Sequence, residues 1–131
     1  MEKGQTTLYV KLLKALYGTL TASLYYYHKW TKDLKTAGYE LNPYDACVAN
    51  KMINGKQHTV RWHVDDVMAS HVDPKVNDEF VKWVKSIYEK GNIGTVKFER
   101  GEYDYLGMMF KHTEDGKVEI RMDKYVDKVL E

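Results

Sequence analysis

The dipeptide Asn54-Gly55 constrains the fold of this chain more than any other pair of residues in it. Both central positions of a type I′ turn need positive φ, which asparagine tolerates and glycine adopts freely, so Asn-Gly between apolar runs specifies a hairpin. The flanking runs predict antiparallel strands over about 45–53 and 57–64. The second run leads into His63-Val64-Asp65-Asp66, and Val67 to Val72 then returns as an apolar, β-branched stretch. That return predicts a second hairpin with Asp65-Asp66 at its tip. Connections this short disfavour a doubly wound parallel sheet, whose crossovers need about a dozen residues or more.

Upstream, Leu8 to Leu12 has strand character. Leu16, Leu20, Leu24, Tyr27, Trp30, Leu34 and Ala37 then recur at three- and four-residue steps, which predicts an amphipathic helix over about 19–37 that stops at Gly38. Downstream, Asp73-Pro74 reads as an N-cap followed by proline at the first helical position. Val76, Phe80, Trp83, Val84 and Ile87 give that second helix its apolar face, and Gly91 follows its end. Strands are predicted over about 94–99, 104–111 and 117–121, with a turn at Glu114-Asp115-Gly116 and a last helix from Asp123. The order of helix, two hairpins, helix and further hairpins predicts an α+β domain with helices on one face of an antiparallel sheet.

With 131 residues the chain fits a single domain or a fragment of one. The 20 basic and 19 acidic side chains nearly cancel, so any affinity for nucleic acid must come from a local patch. The lone Cys47 excludes an internal disulfide and fits a small apolar position in a strand. No run is long and apolar enough for a membrane span and no secretory signal is visible, so no membrane partner and an intracellular location are expected.

Two adjacent carboxylates at a hairpin tip suit a hard divalent cation such as Mg²⁺, which binds through one or two carboxylates plus substrate phosphates. His63-Val64-Asp65-Asp66 resembles the Tyr-x-Asp-Asp box of reverse transcriptases. Lys14-Ala15-Leu16-Tyr17-Gly18 resembles the motif that precedes the long palm helix in the copia-type (Ty1/copia) retrotransposon branch. Tyr105-Leu106-Gly107-Met108 is similar to that family's Phe/Tyr-Leu-Gly box, and Asp123-Lys124-Tyr125-Val126 to its segment entering the thumb.

The resemblance covers the chain from Leu8 onward and implies a palm segment running from the glycine motif to the start of the thumb. It implies RNA-directed DNA synthesis with two Mg²⁺ ions, in which Asp65 and Asp66 are catalytic and metal-binding. Gly18 and His63 would line the nucleotide or template site, and Tyr105, Leu106, Gly107 and Met108 would support the primer end. The implied partners are an RNA template, a DNA primer, deoxynucleotides, and the fingers, thumb and RNase H parts of a polyprotein, in the cytoplasm or a virus-like particle.

The chain departs from the family pattern in three respects. No Asp precedes Asp33, so a third metal-binding carboxylate, the first palm strand and the fingers are missing, and the chain alone is expected to be inactive. The Gln-Ser-Pro that commonly follows the glycine is absent, and His63 stands in place of tyrosine.

Two other readings come from the residues. A non-catalytic, palm-derived module could bind nucleic acid or assemble with a partner chain. His63, Asp65, Asp66, His71 and Asp73 could instead form the array of a metal-dependent hydrolase, since alternation puts His63 with Asp65 and His71 with Asp73. Tyr25-Tyr26-Tyr27 offers base-stacking surface, with Tyr27 and Trp30 expected in the core. Lys11, Lys14, Lys29, Lys32 and Lys35 give the first third a basic surplus that could meet phosphates.

Overall fold

The computed structural model describes residues 9–16, 18–90 and 95–130. Helix α1 (Leu20–Thr36) follows Thr19, whose extended backbone (φ −89°, ψ 146°) is that of an N-cap, although its side chain caps no helical N–H. The Thr19 hydroxyl instead donates back to the Leu16 carbonyl at 2.8 Å. At the other end Tyr39 N–H reaches the Leu34 carbonyl and Gly38 N–H the Lys35 carbonyl, both at 3.0 Å, with Gly38 at φ 87°. Those paired bonds make a Schellman ending, and they need the left-handed backbone that glycine supplies.

The released chain enters a four-stranded antiparallel sheet of β1 (Glu40–Leu41), β2 (Val48–Ile53), β3 (Lys56–His63) and β4 (Asp66–Ser70), in that spatial order. Asn54 (φ 52°) and Gly55 (φ 70°) make the β2–β3 turn with both residues at positive φ, the type I′ pattern expected of Asn-Gly. Helix α2 (Pro74–Tyr88) then opens on Asp73, whose Oδ1 accepts from Lys75 N–H at 2.9 Å. A second sheet follows, with β5 (Glu102–Tyr105), β6 (Met108–His112) and β7 (Val118–Arg121) in sequential antiparallel order, then α3 (Asp123–Leu130). The fold is therefore α+β, with two antiparallel sheets and three helices among the described residues.

Alternation along β3 sorts the first sheet into two unlike faces. His58, Val60 and Trp62 are buried, whereas Arg61 and His63 are exposed. The buried set meets both larger helices through Trp30, Leu34, Tyr39 and Phe80. Trp30, only 1% exposed, lies edge-on to Trp62 at 6.1 Å and to Phe80 at 6.4 Å, and close to Trp83 and Tyr88. Its buried Nε1 has no hydrogen-bond partner among the described residues, so packing holds it. A polar tie joins the helices beside this cluster: Asp33 Oδ2 accepts from Tyr88 Oη at 2.8 Å and from Lys29 Nζ at 2.6 Å. Lys29 is thus paired within the fold.

Four expectations need correction. Tyr9 to Leu12 form no strand, and Leu8 lies outside the described residues. Thr95 to Arg100 are irregular, and Gly94 lies outside the described residues; Arg100 instead anchors this segment to Asp78 of α2 at 2.6 Å. The single strand expected over 104–111 is a hairpin, because Leu106 (φ 55°) and Gly107 (φ 76°) both take positive φ and reverse the chain. Cys47 sits half-buried in the turn ahead of β2, not in a strand, and still packs on the core.

A buried polar relay crosses the core. His58, 0% exposed, bonds Tyr39 Oη through Nδ1 at 2.6 Å and Asn77 Oδ1 through Nε2 at 3.0 Å. Asn77 Oδ1 can only accept, so Nε2 carries the proton and Nδ1 accepts from the tyrosine. Burial pushes the Tyr39 phenol up to about 12, which keeps it a donor. Beside it, His71 accepts from Asp73 N–H through Nδ1 at 3.0 Å and faces the Ile53 carbonyl through Nε2 at 3.2 Å. The Tyr39 and Asn77 hydrogen bonds hold the His58 imidazole in its neutral form.

Burial lowers the affinity of His58 for a proton; the Asn77 hydrogen bond opposes that shift, and the fields of His71 and Lys51 add to it. The unfolded chain, titrating near about 6.5, takes up the proton first as pH falls. Stability from this group is therefore complete above that value and lost below it. Thermal melts should show a lower midpoint at about pH 5 than at about pH 7.5. His58→Gln should be less stable at the higher pH by about 1–3 kcal/mol, with a shallower loss in acid. An equally steep loss in the variant would assign the acid sensitivity to other groups.

Candidate functional site

The tip expected from the sequence is a two-residue turn, with Val64 and Asp65 central and His63 paired with Asp66. Val64 takes φ 54° and Asp65 does not take positive φ, which is the pattern of a type II′ hairpin turn. Glycine normally fills that first position. A β-branched side chain there is a true backbone outlier, costing about 1–3 kcal/mol, and such strain collects at functional sites. The base of the hairpin holds the turn in place: Trp62 is buried, pairs with Val67, and donates its N–H to the Cys47 carbonyl at 3.0 Å.

Asp65 and Asp66 are both exposed, and among the described residues neither carboxylate makes an ion pair or a side-chain hydrogen bond. Alternation carries His63 and Asp66 to the face opposite α1 and α2. The phenol of Tyr26 on α1 is pushed up by burial and then by the charge of Asp65. The phenol of Tyr105 is pushed up by burial and Asp66, against the lowering field of Arg61. The acid tip thus lies within electrostatic reach of both α1 and the β5–β6 hairpin.

Tyr105-Leu106-Gly107-Met108 is that hairpin's turn, with Tyr105 paired to Met108 and Gly107 N–H donating to Asp104 Oδ1 at 3.0 Å. The Tyr105 ring receives the Arg61 guanidinium at 5.3 Å, which ties the second sheet to β3 near the acid tip. Gly18 takes φ 88° just ahead of the α1 N-cap; a side chain there would meet nothing within 4 Å, so its backbone angle is the constraint. Tyr17 lies outside the described residues. Gly18 is separated from Tyr26 by roughly two turns of helix and joins no contact at the tip among the described residues.

The hydrolase array is not assembled. His71 is bonded to Ile53 and Asp73 beyond the far end of β4, and Asp73 caps α2. Among the described residues no group of three or more His, Cys, Asp or Glu side chains could hold a metal ion. Of the tyrosine triplet, Tyr25 is exposed, while Tyr26 and Tyr27 are half-buried against the core as Trp30 closes it. Two carboxylates without protein partners fit a cation that draws its remaining ligands from water and substrate phosphate. Arg61 is the neighbour that sequence reasoning did not single out; its one signal is an alternation that places it on the same face as His63.

No protein-family profile, curated protein or solved structure matches this chain. Among the described residues no helix is long and apolar enough to cross a membrane.

Val64→Gly should relieve the strained turn. Part of the relief is offset by the greater flexibility of glycine in the unfolded chain, leaving a net gain of about 1 kcal/mol in urea unfolding. A lower unfolding midpoint would contradict the strain assigned to this residue.

Proposed function

We propose that this chain is the palm segment of a copia-type reverse transcriptase, with Asp65 and Asp66 holding Mg²⁺ for nucleotidyl transfer. The observation that carries the reading is an acid pair with no partner among the described residues, on a strained two-residue hairpin tip, with Asp66 on the sheet face opposite α1 and α2. The Tyr-Leu-Gly-Met box gives further support, because it forms a tight turn whose tyrosine stacks on a cation of the same open face. Asp65 and Asp66 would hold Mg²⁺ there, and the ion would supply positive charge for phosphoryl transfer.

The protein's own part is positional. Trp62 and Val67 fix the base of the hairpin, Val64 holds the turn, and the two carboxylates meet the solvent unneutralised. Strand β4 lies at the edge of its sheet. A further strand bearing a third carboxylate could pair there beside Asp66. Gly18 and His63 belong to the nucleotide or template side in this reading, and Tyr105 to Met108 to the primer side.

A second reading is favoured by one observation: no third carboxylate joins the pair among the described residues. In that reading the chain is a non-catalytic, palm-derived module that binds nucleic acid or a partner chain.

Metal uptake separates the two. The palm reading expects Mn²⁺ bound by the chain to enhance water proton relaxation, and the double variant Asp65→Asn, Asp66→Asn to abolish that enhancement with little change in thermal midpoint. Absent uptake, or uptake unchanged in the double variant, would favour the module.

A further inference from the structure

Arg61 carries a charge that no carboxylate neutralises among the described residues. It is exposed, pairs across the strands with Met68, and shares the open face with Thr59 and His63. Its Nε and Nη2 lie 3.1 and 2.7 Å from Met68 Sδ, and its guanidinium carbon lies 5.3 Å from the centre of the Tyr105 ring. A thioether is a weak acceptor, and a ring face attracts a cation without supplying an anion. Among the described residues Arg61 forms no ion pair, whereas Arg100 and Arg121 each bind a carboxylate. Two flanking groups therefore orient the guanidinium, and its Nη1 donors have no acceptor among the described residues.

Location gives this arrangement chemical meaning. Arg61 lies two residues before His63, about 7 Å along the strand, and on the same face as Asp66. A planar guanidinium held in place loses less freedom when it binds an oxyanion, and its fork matches phosphate oxygens in pairs. A cation placed beside two unpaired carboxylates suits a ligand that carries both a metal ion and phosphate charge. Neither Met68 nor Tyr105 competes with such a ligand for the guanidinium.

We propose that Arg61 is a phosphate-binding residue, its guanidinium positioned by Met68 and Tyr105 to receive a phosphate oxyanion on the open sheet face beside the acid tip. The source is either a nucleic-acid phosphodiester or a nucleoside triphosphate. That assignment of source rests on the polymerase reading, whereas the phosphate affinity itself does not.

The test uses the full chain and its Arg61→Gln and Arg61→Lys variants, with matched thermal midpoints as the folding control. The probes are a labelled primer–template duplex over a range of salt, a Mg²⁺–deoxynucleoside triphosphate, and inorganic pyrophosphate. A phosphodiester source predicts that Arg61→Gln binds the duplex about tenfold more weakly, with a salt slope smaller by about 0.9. Arg61→Lys should keep most of that slope while losing part of the affinity, and it carries the test if Arg61→Gln does not fold. A triphosphate source predicts unchanged duplex binding and weakened nucleotide binding.

Pyrophosphate bound through Arg61 without duplex or nucleotide binding would support the residue's role and overturn the polymerase reading. Wild-type affinity for all three probes in Arg61→Gln would overturn the proposal and leave that reading standing. A wild-type chain that binds none of the probes overturns both.

Discussion

The packing of Trp30 between the first sheet and α2 is the contact on which the rest of the molecule depends. One indole touches Trp62 of β3 and Phe80, Trp83 and Tyr88 of α2, while its own backbone belongs to α1. Both larger helices are thereby committed to one side of the sheet. Burying a side chain this large stabilises a domain by several kcal/mol, and truncating it to alanine costs about 3–5 kcal/mol. Because Trp62 is both a core residue and the base of the second hairpin, the same contact fixes the direction in which the acid tip points.

The consequence is a sheet with two faces of different character. The side toward the helices is apolar apart from the His58 relay, whose members are satisfied by one another, and Lys51, whose Nζ donates to the Ala37 carbonyl at 2.7 Å. The other side carries Asn50, Gln57, Thr59, Arg61 and His63, with a side-chain amide and hydroxyl network joining the first three. Such a surface is solvated and hydrogen-bonding. Charges of both signs meet there, negative at the turn and positive at Arg61, with the Tyr105 hairpin alongside. The strained Val64 lies between these features and the buried base of the hairpin, where a backbone outlier is held by its surroundings.

Much of the fold was legible because its punctuation is chemical. Asn54-Gly55 marked one hairpin, Gly38 ended α1, and Asp73-Pro74 opened α2 within a residue of the observed start. The 105–108 hairpin was not legible, since leucine at positive φ carries no turn signal and Gly107 alone reads as a bulge in a longer strand. The irregular Thr95 to Arg100 looked like a strand, but among the described residues it is held by the Arg100–Asp78 ion pair and a hydrogen bond from Val96 N–H to Glu89 Oε1 in place of a neighbouring strand. At the site, the acid pair could be read from its flanking runs. The Tyr39–His58–Asn77 relay and the Arg61–Tyr105 stack could not, because each joins residues far apart in sequence that only tertiary packing brings together.

We propose the hairpin tip at Asp65-Asp66 as the place where this chain meets a divalent cation. Substoichiometric Mn²⁺ added to the ¹⁵N-labelled chain tests it residue by residue, through paramagnetic broadening of backbone amides. The signals of His63 to Met68 should fade first, followed by those of Tyr105 to Gly107, while amides around Phe80 in α2 stay sharp. Broadening centred on Glu114 and Asp115, or spread evenly over the surface carboxylates, would contradict it.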